Sequence, residues 1–271
     1  MAMTRSVCVT TDTAHAAKVK PEPGARSAPN ARPTWGKGFG HGPLPFFACA
    51  FPAALVSTGM PKHQPDFEFE TAAAEHGFQR VVGVDEVGRG PWAGPVTSAA
   101  VILDPSNIPD GLNDSKLLSA KRREALYEQI LSCAEVSVAD VSVEEIDQHN
   151  ILRASHLAMV RAIQGLTHPA DYALIDGNMI PRGLNLPASA IVKGDQRSLS
   201  IAAASIVAKV WRDRLMIALA QQHPGYGWET NAGYGTPAHQ EGLKCHGVTP
   251  HHRRSFKPIH NILYQAKNLS D

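Results

Sequence analysis

Apolar and polar positions alternate densely from about Gln79 onward, and the pattern predicts a succession of strands and helices. Two β-branched runs, QRVVGVDE and PVTSAAVIL, are separated by the turn GRGPWAG, which predicts a hairpin. Three further strands are predicted, in EVSVADVSV, DYALID and ASAIVKG. A hairpin followed by alternating helices and strands predicts an α/β fold with a mixed sheet covered by helices.

Capping residues mark where the helices begin. Ser119 precedes AKRREALYEQILSCA, and Ser142 with Glu145 forms a capping box before a single helix that runs through HNILRASHLAMVRAIQGL. The longest helix is predicted in SLSIAAASIVAKVWRDRLMIALAQQ. Thr236 caps a last helix in TPAHQEGLK, with Pro237 at its first position.

Residues 1–65 differ from the rest of the chain. They are rich in Ala, Pro, Gly and Thr without a helix or strand period, which predicts a disordered N-terminal extension or a start site assigned upstream of the true one. The apolar run at 45–56 is shorter than the ~20 residues of a spanning helix, so no membrane association is expected. Four cysteines without a CxxC pair favour a reduced, cytoplasmic protein.

Charge is distributed unevenly along the chain. The net charge is only +1, but from Lys193 onward ten Lys and Arg face five Asp and Glu, which suits a phosphate backbone. Tyr226, Trp228 and Tyr234 lie among glycines in the same region. If exposed they would stack on a sugar or base, and otherwise they are half-buried residues of an ordinary loop.

Four acidic residues are predicted at strand ends. Asp85 and Glu86 end the first strand, Asp176 ends the fourth, and Asp195 follows the fifth. Carboxylates that converge there would repel each other unless a divalent cation joined them, and all-oxygen ligands favour Mg²⁺ or Mn²⁺. Neighbouring strand residues point to opposite faces, so Asp85 and Glu86 share a metal only if the strand ends or bulges there. The alternative is that these are solvated turn residues.

Two other patterns carry less weight. Residues 88–93 match the dinucleotide fingerprint G-x-G-x-x-A, but a strand rather than a helix follows, and two carboxylates precede the glycines. Three histidines near Cys245, namely His246, His251 and His252, fit no common zinc spacing, which favours surface residues.

Several long motifs occur in the order found in bacterial ribonuclease HII, the type 2 ribonuclease H. They are GVDEVGRGPWAGPV, LNDSKLLS, IDGN, VKGDQRSLSIAAASIVAKVWRD and HPGYGWETNAGYGTPAHQEGLKCHGVTPHHRRSF. The chain resembles this family from about Arg80 to Pro258. The resemblance implies a ribonuclease H-like fold within residues 66–271, with a central mixed β-sheet flanked by helices and a helical C-terminal extension.

The resemblance also implies an activity. It is that of a metal-dependent endonuclease which hydrolyses the RNA strand of RNA–DNA hybrids. Such an enzyme also cuts 5′ of single ribonucleotides embedded in duplex DNA, leaving a 5′-phosphate and a 3′-hydroxyl. We therefore expect nucleic acid of these kinds as the partner, a cytoplasmic monomer as the working form, and Mg²⁺ or Mn²⁺ as the cofactor.

Roles for individual residues come from the family's motifs. The catalytic acids that hold the metal are Asp85, Glu86, Asp176 and Asp195. The groups that recognise the ribose 2′-hydroxyl and the RNA–DNA junction are Gly88, Arg89, Gly90 and Tyr234. The contacts to the nucleic-acid backbone are Lys116 of the DSK motif, Ser205 and Lys209. Spacing alone places Ser205 and Lys209 on one helix face, which also suits a lysine that merely extends to solvent. Trp92 departs from the family, which often has a smaller aliphatic residue there.

Two other functions remain as alternatives. A related nuclease such as a junction resolvase would share the clustered acids but ignore the 2′-hydroxyl. A non-catalytic nucleic-acid-binding domain is disfavoured, because four carboxylates weaken phosphate binding unless metal ions occupy them.

Overall fold

The computed structural model describes residues 64–264 and the backbone of the two-residue strand Cys8–Val9. The prediction of a disordered or mis-assigned segment at 1–65 falls almost wholly outside these residues. A mixed six-stranded sheet forms the centre, as the α/β prediction requires. Its strands are β1 Cys8–Val9, β2 Val81–Val87, β3 Val96–Ile102, β4 Glu135–Val141, β5 Tyr172–Asp176 and β6 Ala188–Ile191.

Strand β2 lies near the middle of the sheet, whose order is β1-β4-β3-β2-β5-β6. It pairs antiparallel with β3, which confirms the predicted hairpin, and parallel with β5 on its other side. Strands β5 and β6 are also parallel. The three predicted strand ends that bear acidic residues are therefore neighbours in space.

Helices cover the sheet, and their caps follow the sequence. They are α1 Glu68–Glu75, α2 Ala120–Cys133, α3 Val143–His149, α4 Ile151–Gln164, α5 Leu199–Gln222, α6 Trp228–Asn231, α7 Pro237–His246 and α8 Lys257–Tyr264. Ser119 accepts a hydrogen bond from the Arg122 amide, and Ser142 and Glu145 form the predicted capping box. Among the described residues, no helix is both long and apolar enough to cross a bilayer.

One helix prediction was wrong. The segment after Ser142 forms two helices, α3 and α4, because the backbone turns at Asn150 with a positive φ of 66°. The Asn150 side chain accepts hydrogen bonds from the amides of Leu152 and Arg153, so it caps α4. The asparagine side chain competes for the backbone donors at the start of α4, and the continuous apolar period concealed this break.

The two faces of the sheet carry different helices. Helices α2 and α5 pack on one face and α4 packs on the other. Gly83 faces α5 so closely that an added Cβ would lie 2.2 Å from the Ser200 carbonyl carbon. Since strand residues alternate, Asp85 shares the face of Gly83 and Glu86 lies on the opposite one.

Candidate active site

The predicted acidic residues lie at adjacent positions of the sheet. Strand β2 does not bulge, since Asp85 pairs with Ala99 and Glu86 with Ser98 in a regular register with β3. Its pairing with β5 ends at Val84, however, so both acids lie beyond the last paired residue on that side. Strand β2 therefore neither ends nor bulges at these acids, because its pairing with β3 continues to Val87; only its pairing with β5 stops before them.

Asp176 and Asp195 approach from the other side of this edge. Asp176 is the last residue of β5, and its carboxylate accepts a hydrogen bond from the Gly194 amide at 2.7 Å. Asp195 lies in the short 3₁₀ turn Gly194–Gln196, directly before α5, and is buried. The Gly194 amide thus connects the turn that carries Asp195 to the end of β5.

Three of the carboxylates, Asp85, Glu86 and Asp195, have raised pKa values. Burial raises the pKa of Asp85 well above its ordinary value, and the charges of Asp176, Glu86 and Asp195 raise it further. Burial and then Asp176 raise the pKa of Asp195 to about 6. Burial also raises the pKa of Glu86, although the hydrogen bond from Arg89 opposes this. The four groups therefore form one electrostatically coupled cluster.

Two cationic side chains reach this cluster. Arg89 donates a hydrogen bond to Glu86 at 3.0 Å. The Lys116 ammonium lies 3.5 Å from Asp195 and 3.9 Å from Asp114, and its side chain is 77% exposed. Burial lowers the pKa of Lys116, but the nearby carboxylates, led by Asp114, raise it by more. Asp114 was not predicted as a site residue, although the motif LNDSKLLS contains it.

The donor set suits a hard divalent cation. Asp85 and Asp195 are buried, and the negative charges of neighbouring carboxylates raise their pKa values, so a cation among these groups would remove the repulsion. Among residues 64–264, no three His, Cys, Asp or Glu side chains already have the geometry of a metal site. An ion would therefore have to compete with Arg89 and Lys116 for Glu86 and Asp195.

The glycine loop after β2 contacts Tyr234. Gly88 has a φ of +91°, and an added Cβ would lie 2.2 Å from Nε of Arg212, so only glycine fits there. An added Cβ at Gly90 would lie 3.1 Å from Cε1 of Tyr234, whose side chain is 49% exposed. The Trp92 amide donates to the Gly233 carbonyl at 2.8 Å, which joins the two loops through the backbone.

The other two aromatic residues of this region do not face solvent. Tyr226 and Trp228 are buried and stack on each other, with ring centroids 4.9 Å apart. Of the two alternatives left open by the sequence, exposed stacking residues are excluded for Tyr226 and Trp228, because both belong to a small hydrophobic core. Only Tyr234 keeps an exposed ring.

Ser205 and Lys209 occupy one face of α5 but have partners within the protein. Ser205 is 3% exposed, and its hydroxyl lies 2.9 Å from that of Ser115, which precedes Lys116. Lys209 donates to Asp213 at 2.7 Å. Ser205 therefore packs against the loop that carries Lys116 and does not expose its hydroxyl to solvent.

A buried histidine pair supports the Tyr234 loop. His239 and His252 approach at 3.0 Å between their Nε2 atoms, and Nδ1 of His239 lies 3.0 Å from the Tyr234 carbonyl. Nδ1 of His252 accepts from the Thr249 amide, and Trp228 donates to His239. The expectation of a surface position was therefore wrong for His252, which spacing alone could not reveal.

Comparison with known proteins points in one direction. A family model described as Ribonuclease HII matches residues 82–259. The chain is 62% identical over 228 residues to a protein named Ribonuclease HII from Ruegeria pomeroyi, covering 84% of this chain and 97% of that protein. A protein of the same name from Cereibacter sphaeroides is 67% identical over 206 residues, covering 76% and 97% of the two chains.

Solved structures agree with this. The fold is similar to that of ribonuclease H2 from Pyrococcus horikoshii, with a TM-score of 0.61, 27% identity, and coverage of 71% of this chain and 100% of that one. It is also similar to Bst-RNase HIII in complex with Mn²⁺, with a TM-score of 0.58, 20% identity, and coverage of 80% and 79%. The second likeness extends to the fold alone.

Proposed function

The chain belongs to the ribonuclease HII family, whose members are endonucleases that degrade the RNA strand of RNA–DNA hybrids by metal-assisted hydrolysis, and on that premise we propose its specific activity. It cuts on the 5′ side of a single ribonucleotide embedded in duplex DNA, leaving a 5′-phosphate and a 3′-hydroxyl. Asp85, Glu86, Asp176 and Asp195 are its catalytic acids.

One observation carries this proposal. The coupled carboxylate cluster begins at β2, and the glycine loop that follows β2 within four residues rests against the exposed ring of Tyr234. Residues 85–90 therefore contain both two of the proposed catalytic acids and the loop proposed to contact the sugar. Because RNA differs from DNA at the ribose 2′-hydroxyl, selection needs such close backbone contact.

The four carboxylates would hold Mg²⁺ or Mn²⁺, which when bound activates water and neutralises the charge of the phosphodiester. The protein's own residues do the rest. Lys116, largely exposed beside Asp195, is placed to pair with a phosphate oxygen. The hydrogen bond from Arg89 positions the Glu86 carboxylate in the free enzyme. Backbone groups at Gly88 and Gly90 approach the sugar, and glycine is required at Gly88 because Arg212 occupies the place of a Cβ.

Tyr234 recognises the RNA–DNA junction. Its ring is exposed, while its carbonyl is fixed by His239 and its amide by the Asn231 carbonyl at 2.9 Å. A fixed aromatic ring stacks on a sugar or base at small entropic cost. We therefore assign Tyr234 to the nucleotide beside the ribose, and Gly88 and Gly90 to the 2′-hydroxyl itself.

Cleavage of three labelled duplexes tests the proposal. They are all-DNA, DNA with one embedded ribonucleotide, and a continuous RNA–DNA hybrid, each with Mg²⁺, Mn²⁺ or EDTA. We expect metal-dependent cutting 5′ of the lone ribonucleotide and no cutting of all-DNA. Equal cutting of all-DNA would indicate a resolvase-like nuclease, and binding without cutting in any metal would indicate a binding module.

We further propose that the enzyme acts as a cytoplasmic monomer. Its active-site residues all come from one chain, and the glycine loop, Tyr234 and the acids are brought together without a second copy. Light scattering across a concentration series should give the mass of one chain. A dimer mass that persists on dilution would contradict this.

A further inference from the structure

We propose that Arg253 is a positioning residue for ribonucleotide recognition, because its buried guanidinium fixes the glycine loop on which Tyr234 rests. This deepens the proposed function and depends on it. The residue lies near the start of the C-terminal segment, far in sequence from the acids and from the loop. None of its side-chain contacts is to a residue of the carboxylate cluster.

The guanidinium donates four hydrogen bonds to backbone carbonyls of the loop, and it also lies over the ring of Phe256, 5.1 Å from the centroid. Its Nη2 donates to Gly88 at 2.6 Å and to Pro95 at 3.0 Å, Nη1 donates to Arg89 at 3.0 Å, and Nε donates to Gly94 at 2.9 Å. One planar group thus holds both ends of the loop that joins β2 to β3. Only arginine has the donors and the fixed fork for four such contacts.

The charge of Arg253 is stabilised by the Phe256 ring rather than by a carboxylate. Arg253 is fully buried, and none of the ion pairs formed among residues 64–264 includes it. Burial, followed by the charge of Arg212, lowers its pKa to about 9. A buried cation without an ion pair costs free energy. Its four hydrogen bonds therefore indicate that the role of Arg253 is to hold the loop between β2 and β3.

Arg212 binds the same loop from α5. It donates to Ala93 at 3.1 Å and to Pro95 at 3.0 Å, and its Nη1 donates to Ala232 at 2.9 Å, two residues before Tyr234. The Arg212 side chain also fills the space beside Gly88, where an added Cβ would lie 2.2 Å from its Nε. The two arginines therefore join the glycine loop and the Tyr234 loop into one unit.

The backbone completes this unit. Arg253 donates its amide to the Trp92 carbonyl at 2.8 Å, and Gly94 donates its amide to the His251 carbonyl at 2.9 Å. Loss of the fork would leave these bonds but free the carbonyls of Gly88 and Arg89. The glycine loop would then move relative to Tyr234 while the carboxylates stay in place, so selection of the ribose should suffer more than backbone binding.

The test is Arg253→Lys, which keeps the charge but not the fork. On the duplex with one embedded ribonucleotide, kcat should fall about tenfold or more, while KM changes less than about threefold. The matched control is Arg254→Lys, because this neighbouring arginine is exposed; its kinetics should equal those of the unaltered protein.

A double-mutant cycle separates positioning from a merely structural role. Tyr234→Ala and Arg253→Lys should be coupled, so the combined loss of kcat should be at least about threefold smaller than the product of the single losses. If Arg253→Lys does not fold, Arg212→Lys takes its place in the cycle. Losses that multiply independently would overturn the inference, as would unchanged kcat in Arg253→Lys. An unaltered protein that ignores the ribonucleotide would instead overturn the proposed function.

Discussion

Replacing Gly83 by alanine is expected to separate α5 from the sheet. An added Cβ would lie 2.2 Å from the Ser200 carbonyl carbon, 2.4 Å from its oxygen and 2.5 Å from the Ile201 nitrogen. All three atoms belong to the backbone of α5, so no side chain is free to rotate away. Ordinary contact begins near 3.4 Å, and strand and helix must therefore part by roughly 1 Å.

The size of the effect follows from this geometry. Overpacking of a close interior contact costs about 1–3 kcal/mol of unfolding free energy, which lowers Tm by about 2–4 °C per kcal/mol in a domain of this size. The same displacement moves Asp85, two residues along β2, relative to Asp195 before α5. A misplacement of about 1 Å costs up to 10²-fold in rate.

Thermal unfolding followed by circular dichroism, with kcat on the single-ribonucleotide duplex, measures both losses. Gly77→Ala is the control for a methyl group added without a clash, because nothing lies within 4 Å of an added Cβ there, although its φ of +94° strains an alanine. The control should lose some stability and no activity. If Gly83→Ala kept both its Tm and its kcat, the close approach of α5 to β2 would be refuted.

Three further changes test the site and its surroundings. Asp85→Asn should lower turnover roughly 10³-fold, since metal-assisted charge stabilisation contributes several kcal/mol, while gel-shift binding of the duplex stays or tightens. His252 is neutral in the fold with a pKa of about 3, so the unfolded chain binds the extra proton and unfolding free energy falls by up to about 1.4 kcal/mol per unit as pH drops below about 6.5; His252→Gln should flatten that slope in a series of Tm measurements. The hydrogen bond from Arg161 lowers the pKa of Glu145, so the pair stabilises above about pH 4.5 and loses its effect in acid; Arg161→Met should cost under about 1 kcal/mol at pH 7 and progressively less as the pH falls through the lowered pKa of Glu145.

Local patterns predicted most of the fold. Strand runs and the caps at Ser119, Ser142 and Thr236 depend on residues within a few positions of each other, and the structure has them where the pattern places them. The break at Asn150 was missed because a single residue with a positive φ does not change the hydrophobic periodicity of the sequence. The acidic strand ends could be proposed as neighbours because parallel strands carry their ends to one edge.

The parts of the site that the sequence did not show depend on distant partners. Arg253 bonds carbonyls more than 150 residues away, and a carbonyl acceptor carries no signature in residue type. His252 was expected at the surface because its partner His239 is identified only once α7 is folded. Likewise, the burial of Ser205 reflects a contact with Ser115 from another segment.

The hydrogen bonds from Arg253 to the glycine loop also set an order of events during synthesis. Arg89 and Arg253 are 164 residues apart, which at 5–20 residues per second is about 10–30 s of translation. All four carboxylates are translated before Arg253 is. A growing chain therefore contains all four acids before Arg253 can bind the glycine loop, so the proposed recognition of the ribose is among the last properties that the nascent enzyme acquires.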